Sequence, residues 1–401
     1  MRSKLPVLFI FVTVVLDAMG IGLIMPVMPD LIREVTGEAL GDAAVWGGVL
    51  AAAFALMQFL FGPVIGNLSD RFGRRPVLLV SLAVMALDYV VMALAGSIWL
   101  LFLGRVVGGI TAATHATASA YMADISHPDE KARNFGLIGA AFGVGFVLGP
   151  ALGGVLAEFG TRAPFWGAAA LAALNFVLGY IVFRETVTDA IRRPFDWRRA
   201  NPLGALLSVT KLPGLAALLL VYFIYQVATA VYPAIWSYFT AERFDWSPGM
   251  IGVSLAAFGL GFAIVQGALV APSIRRFGHR GTVALGLGIE VATLSLLGVI
   301  TSGAVVLALV PLAALGALGM PALQGIMSRR VDDNAQGELQ GVLTSLTSLA
   351  TVLSPLVMTQ TFAHFSRPDA PLYLPGAPFL LSAGLLILGL MVFFRSKRRV
   401  A

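Results

Sequence analysis

Runs of about 20 apolar residues recur from one end of this chain to the other, each enough helix to cross the roughly 30 Å of hydrocarbon in a bilayer. Of the 401 residues 58% are hydrophobic and only 12% charged, which is more apolar side chain than one soluble core can hide. Length alone would allow two or three soluble domains, but the runs leave no room for one. The first, at 5–28, follows Arg2 and Lys4 as a signal peptide would. It is long and continues into similar runs, so it reads as the first span. The absence of cysteine excludes disulfides, thiol chemistry and cysteine metal sites, and the four histidines show no ligand spacing.

Between charged or Pro/Gly-rich breaks the spans read 5–28, 44–66, 77–95, 98–122, 134–157 and 164–183, then 214–238, 248–271, 281–301, 304–327, 338–362 and 372–394. The predicted fold is therefore an all-α integral membrane protein of twelve transmembrane helices. It divides into an N-terminal six-helix half at 1–183, a cytoplasmic linker at 184–213 and a C-terminal six-helix half at 214–401. Basic residues in short loops stay on the cytoplasmic side. In this numbering of spans 22 of the 27 Lys and Arg fall on the side that holds both termini and the linker. The opposite loops hold Arg33, Arg162, Arg243 and Arg367, and Arg105 lies within a span. Both termini are thus expected in the cytoplasm, and the net charge of +6 reflects this bias rather than nucleic-acid binding.

The loop after span 2 reads Arg71-Phe72-Gly73-Arg74-Arg75, and 205 positions later the loop after span 8 reads Arg276-Phe277-Gly278-His279-Arg280. Two six-span halves repeated in parallel, related by a pseudo-twofold axis, form a pattern of secondary transporters that rock about a midplane site. A chance match of two short basic turns is the plainer alternative.

An ionisable side chain at mid-bilayer costs at least about 2.5 kcal/mol, so each one asks for a reason. There are four: Asp17 in span 1, Asp88 in span 3, Arg105 in span 4 and Glu290 in span 9. Asp17 lies roughly 18 Å along its helix, and Gly20, Gly22 and Pro26 loosen the chain beyond it. An acid in a cavity that opens alternately to two sides can load and release a proton, which is what coupling needs. The structural alternative is a buried ion pair between Arg105 and one acid, holding helices in register. Uncharged polar residues mark where a solute could sit: Gln58, His115, Asn175, Gln226, Gln266 and Gln324. Most could equally be interhelical hydrogen bonds, worth on average about 0.6 kcal/mol each. Aromatics gather at Tyr222, Phe223, Tyr225, Tyr232, Trp236, Tyr238 and Phe239. They read either as an interfacial belt or, for the deeper Tyr222, Tyr225 and Tyr232, as the wall of a pocket for a flat drug.

These residues carry a resemblance. The stretch 66–75, GNLSDRFGRR, is similar to the loop signature of the major facilitator superfamily, and 145–154, GFVLGPALGG, resembles the span-5 signature of its proton-driven antiporters. LDAMGIGLIMP at 16–26, DRFGRRPVLL at 70–79, PALQGIMS at 321–328 and QGELQG at 336–341 are similar to the bacterial tetracycline/proton antiporters. The resemblance implies conformational gating by Asp70, Arg71, Gly73, Arg74 and Arg75 and by Gly149, Pro150 and Gly154, the glycines acting through close helix packing. It implies proton coupling by Asp17, Asp88, Glu290 and Arg105, with Glu290 standing where those pumps usually have aspartate. Gln266 aligns with a glutamine implicated in substrate contact. Phe262 replaces a histidine four positions earlier, and His115 replaces a small residue. With Gln58, Gln226, Tyr225 and Gln324 these complete the candidate substrate site.

The implied function is proton-coupled efflux of a small amphipathic, tetracycline-like drug across the bacterial inner membrane by alternating access. Such a protein is a monomer in the bilayer with no permanently bound cofactor. The proton is its coupling ion, and Mg2+ enters only within a chelated substrate. The alternatives are a multidrug exporter or a proton-linked metabolite transporter. An enzyme is not expected, since no nucleophile–base set or metal cluster appears in the spans.

Overall fold

A computed structural model describes residues 5–112, 114–127, 130–189, 192–196, 214–332, 335–367 and 369–396. Among them every regular element is helical. Helix α1 (Leu5–Ile24) runs through one 3-10 turn at Met25–Val27 into α2 (Met28–Thr36), where Pro26 and Pro29 sit in the first positions that tolerate a missing N–H. There follow α3 (Leu40–Phe72), α4 (Arg74–Leu94), α5 (Ile98–Thr111), α6 (Thr114–Ile125), α7 (Lys131–Ala157) and α8 (Ala163–Val182). Then come α9 (Ala216–Thr229), α10 (Val231–Phe244) and α11 (Pro248–Ile264), a π-helical turn at Val265–Leu269, and α12 (Val270–Val299). Helix α13 (Gly303–Ala313), a 3-10 stretch at Ala314–Leu318, α14 (Gly319–Ser328), α15 (Gln336–Ser366) and α16 (Ala377–Arg395) complete the order.

Among the described residues eleven helical stretches are long and apolar enough to cross a membrane, and one of them, Pro248–Val299, has 52 residues. As one rod it would measure roughly 78 Å, more than twice the hydrocarbon thickness. Gly278 interrupts it with φ 67° and ψ 171°, so this stretch is two spans and the total is the expected twelve. The expected ends need correction at several places. The first span reaches Thr36 rather than 28, because Gly37 at φ 72° and not the Pro26 region ends it. The second runs from Leu40 to Phe72, and the last begins at Ala377. Polar residues at helix ends extend beyond the apolar run, and composition does not register them.

The chain folds as two compact units. The first gathers residues 1–37, 53–202 and 247–256, and the second 38–52, 203–246 and 257–401. Of the linker expected at 184–213, residues 190–191 and 197–213 lie outside the described residues. The core of the first unit joins Ile10 and Val14 of α1, Leu78 and Leu82 of α4, Tyr121 and Met122 of α6, and Ile138 of α7. In the second, Phe239 of α10 packs edge-on against Phe379 of α16 at 4.8 Å, both fully buried. Trp236 and Tyr238 are buried as well, which corrects the reading of these rings as an interfacial belt. Helix α10 lies against α15 and α16, so its aromatic face is covered by protein.

The sequence repeat is visible in the backbone and in side-chain contacts. Gly73 and Gly278 both take positive φ, 111° and 67°, where an L side chain is strained. Arg75 stacks over the Tyr180 ring at 5.3 Å and donates from Nη2 to the Tyr180 carbonyl at 2.8 Å. Arg280, 205 positions on, stacks over Phe393 at 4.6 Å and donates to the Phe393 carbonyl at 3.1 Å. Each arginine thus pins the start of its half's third span to the end of its sixth.

Candidate functional site

In the first unit α1, α4 and α5 bring three of the four intramembrane charges into one region. Asp88 of α4 and Arg105 of α5 form an ion pair, Arg105 Nη2 to Asp88 Oδ2, with side chains only 1% and 11% exposed. The pair is built into the helix seam. A Cβ at Gly104 or Gly108 would lie 2.6 or 2.7 Å from an Asp88 carboxylate oxygen, so glycine alone lets α5 close on that carboxylate. Arg105 also meets the Met92 sulfur at 2.9 Å and stacks over Phe54 at 5.2 Å.

Asp17 has no ion pair among the described residues and is partly buried on α1. Its carboxyl lies beside the Thr114 hydroxyl of α6. That contact falls short of hydrogen-bonding geometry, for Thr114 Oγ1 is buried without a partner. Tyr89, next to Asp88 in α4, lies within electrostatic reach of Asp17, Asp88 and Arg105, and its hydroxyl abuts Gly20. Buried Asn175 of α8 donates to the Thr13 carbonyl at 3.0 Å, one turn before Asp17, and so ties helices rather than lining a cavity. Gln58 and His115 flank the break between α5 and α6. Gln58 Nε2 donates to the Ala112 carbonyl at 3.3 Å, and exposed His115 meets the Phe142 ring edge-on at 6.0 Å.

The glycine-rich stretch of α7 is a packing seam. A Cβ on Gly149 would lie 2.7 Å from the Met19 carbonyl and 2.8 Å from Gly22, and one on Gly145 would lie 2.7 Å from the Ala18 Cβ. The seam fixes α1 on both sides of Asp17. Pro150 and Gly154 serve the start of α11. A Cβ on Gly154 would lie 2.9 Å from Gly249, and one on Gly252 would overlap the Pro150 carbonyl.

At the end of this unit, Arg74 reaches Asp70 at 2.5 Å, Asp124 at 3.2 Å and the Ser69 hydroxyl at 3.2 Å, while Arg71 is exposed over Phe72. Gly73 lies against the carboxylate of Glu185, a residue that sequence reasoning did not single out. The Glu185 Oε1 atom accepts from the N–H of Arg74 at 2.9 Å and Oε2 from that of Arg75 at 3.2 Å. It caps α4, where two helix-terminal N–H groups otherwise lack partners. The strand of chain after α8 is held there as well, since Asn67 donates to the Asp196 carbonyl at 2.7 Å. A lone acid in a polar linker carries no signal of this in sequence. Glu185→Ala is expected to cost about 1 kcal/mol, the usual effect of losing a cap, and to lower the apparent Tm of the detergent-purified protein by a few degrees. An unchanged Tm would remove Glu185 from the role.

In the second unit Glu290 of α12 is 3% exposed. Its carboxylate fills the space a Cβ would need at Gly316, in the 3-10 stretch between α13 and α14. Tyr232 and Tyr225 lie beside it. No ion pair is found for Glu290 among the described residues. Gln226 of α9 donates to Thr347 Oγ1 at 2.8 Å, and the Tyr222 hydroxyl shares that partner at 2.8 Å. Gln266 is partly buried on the π-helical turn, a distortion frequent at functional sites, and Phe262 on the turn before it is 41% exposed with its ring against Phe258. Gln324 is partly buried on α14. No hydrogen bond joins Gln226, Gln266 and Gln324 to one another among the described residues. At the far end of the unit Arg367 donates to Asp42 at 2.7 Å, and Tyr373 donates to Glu242 at 2.9 Å. Burial and the Glu242 carboxylate push the Tyr373 hydroxyl up to about 12.

Helices repeated in two units with charges inside the spans meet their counterparts among known proteins. A profile of the Major Facilitator Superfamily matches residues 10–233 and 215–401. The chain belongs to that superfamily. It is 45% identical over 363 residues to the tetracycline resistance protein, class C, of Escherichia coli, covering 90% of this chain and 91% of that one. It is 42% identical to the class E protein of Escherichia coli over 88% and 86%. At these identities the chain falls within the family of the tetracycline resistance proteins. In structure it resembles the human organic anion transporter MFSD10 (TETRAN), with a TM-score of 0.72 and 26% identity over 98% of this chain and 100% of that one. As a Major Facilitator Superfamily member it is a multi-pass membrane transporter and not an enzyme.

Composition along the chain marks the intramembrane charges but not their neighbours. Thr114 and Tyr89 beside Asp17, and Glu185 on the superfamily's loop, are ordinary polar residues until the fold places them. The antiporter-like seam in α7 was legible because its spacing of small residues is itself the packing code.

Proposed function

We propose that this chain is a proton-coupled exporter that carries a small amphipathic, tetracycline-like drug out across the bacterial inner membrane by alternating access of two six-helix halves. The observation that carries the reading is that Asp17 and Glu290, one in each unit, sit within spans with no counter-charge among the described residues. An acid so placed is tolerated where it can exchange a proton, and two such acids supply the coupling ion's stations. Asp88, held by Arg105, serves as the fixed member that keeps α4 on α5. The drug enters from the cytoplasm or inner leaflet, as a divalent-metal chelate where it is a tetracycline, and contacts Gln266, Phe262, His115, Gln58, Gln226, Tyr225 and Gln324. Gating falls to the Asp70–Arg75 loop and to Gly149, Pro150 and Gly154. The protein works as a monomer, without a resident cofactor, and the basic-residue bias sets both termini in the cytoplasm. The names of the tetracycline resistance relatives support the substrate class.

The test is tetracycline uptake into inside-out vesicles with Mg2+ present. Uptake is expected when an inward-acid gradient is imposed and to cease when a protonophore collapses it. A folded, inserted protein that takes up none would overturn the substrate assignment. Uptake indifferent to the gradient would overturn the coupling.

A further inference from the structure

Asp88 and Glu290 occupy the third spans of their respective halves, and the two halves treat them differently. Asp88 has Arg105. Glu290 has no cation partner among the described residues. Its Oε2 lies against Gly316, and its Oε1 is buried without a hydrogen-bond partner. The Tyr232 hydroxyl is buried and unpartnered too, and the two groups lie within reach of each other without completing a bond of normal geometry. Two orphaned polar groups side by side in a membrane core ask for an explanation. The Tyr232 ring is not free to wander. It stacks on Phe258 at 5.9 Å and leans on Phe379 at 6.0 Å and Trp236 at 6.3 Å, so rings from α11, α16 and α10 itself aim its hydroxyl.

We propose that Tyr232 is the positioning residue of Glu290, its hydroxyl donating to the carboxylate when the acid is ionised and accepting from it when the acid is protonated. A phenol can do either, whereas an arginine could only donate and would hold the acid ionised. The pair thus stays satisfied through a proton cycle in which one proton enters the carboxylate and one leaves it, with no other bond changed. The surroundings leave this role to tyrosine. Among the described residues Tyr225 of α9 also faces Glu290. Residues 303–328 on the far side carry no charge, and the α16 face brings only Arg395 at its terminal end. The inference deepens the proton-exchange reading above and rests on it for its purpose, but its chemistry is testable without transport.

The experiment is an infrared pH titration of the purified full chain, following the protonated-carboxyl C=O band that Glu290→Gln removes. Tyr232→Phe keeps the ring and deletes the hydroxyl, so the ionised acid loses its donor. The midpoint of the band is expected to move to higher pH by about one unit, as for loss of a hydrogen bond to a charged group, and the band itself to shift to higher frequency. Glu290→Asp withdraws the carboxyl from the hydroxyl and is expected to lose the dependence on Tyr232, so that adding Tyr232→Phe moves its midpoint no further. A Tyr232→Phe band that superimposes on the wild type would overturn the assignment, as would an Asp variant that still responds to Tyr232. In vesicles the same variant is expected to need a medium about one pH unit more alkaline for half-maximal uptake. Absence of gradient-driven uptake in the wild type, with the infrared shift intact, would overturn the coupling reading and leave the pair standing.

Discussion

Arg105→Ala is expected to destabilise the protein by about 3–5 kcal/mol, the usual result of removing one partner of a buried ion pair. The size follows from what remains. Asp88 would keep a carboxylate 1% exposed, pressed against Gly104 and Gly108, with one oxygen that already lacks a hydrogen bond in the wild type. The contacts of the guanidinium with Met92 and Phe54 would go as well. Thermal unfolding in detergent, with yield of monodisperse protein as a second readout, measures the loss. The combined neutral variant, Asp88→Asn with Arg105→Gln, is expected to lose less than Arg105→Ala alone, because most of the cost is the stranded charge rather than the missing attraction. A single variant as stable as the wild type would mean that water reaches Asp88 and that the pair is not structural.

Asp17→Asn and Glu290→Gln are expected to act in the opposite way, leaving stability near the wild type while abolishing gradient-driven transport. Among the described residues neither acid has a counter-charge to strand, so neutralising it removes a burden from the fold. Loss of a group that takes and gives a proton should lower gradient-driven uptake by roughly 10²-fold or more. Exchange of labelled for unlabelled drug without a gradient should persist, since it needs no proton to move. Vesicle uptake and counterflow on the same preparations separate the two. If Asp17→Asn abolished counterflow along with driven uptake, Asp17 would belong to drug binding or gating rather than to coupling.

The contrast between these variants shows how much of the site could be read in advance. Periodicity and composition place an acid in a span, because a charge among apolar residues is conspicuous in one dimension. Whether that acid is paired depends on which helix face meets which. Arg105 stands 17 residues from Asp88 and 88 from Asp17, and its partner is Asp88 because α5 closes on α4 through two glycines. The reading of Trp236, Tyr238 and Phe239 as an outer belt failed for the same reason. Amphipathic rings suit a membrane interface or a protein core equally well, and the packing of α10 against α15 and α16 decides between them.

Composition and periodicity along the chain suffice for the solvent, the number of spans, the repeat and the intramembrane charges. Each of these is local, resting on side-chain transfer free energies, helix rise per residue or identity at a fixed interval. Tertiary structure alone decided that Gly73 and Gly278 bend matching loops, that Glu185 caps α4, that Asp88 has a cation, and that Glu290 faces Tyr232 instead. The three side-chain outcomes depend on close approach between residues from 17 to more than a hundred positions apart. A hydrogen bond or a helix seam is made or lost over less than an ångström, a precision that no pattern along the chain encodes.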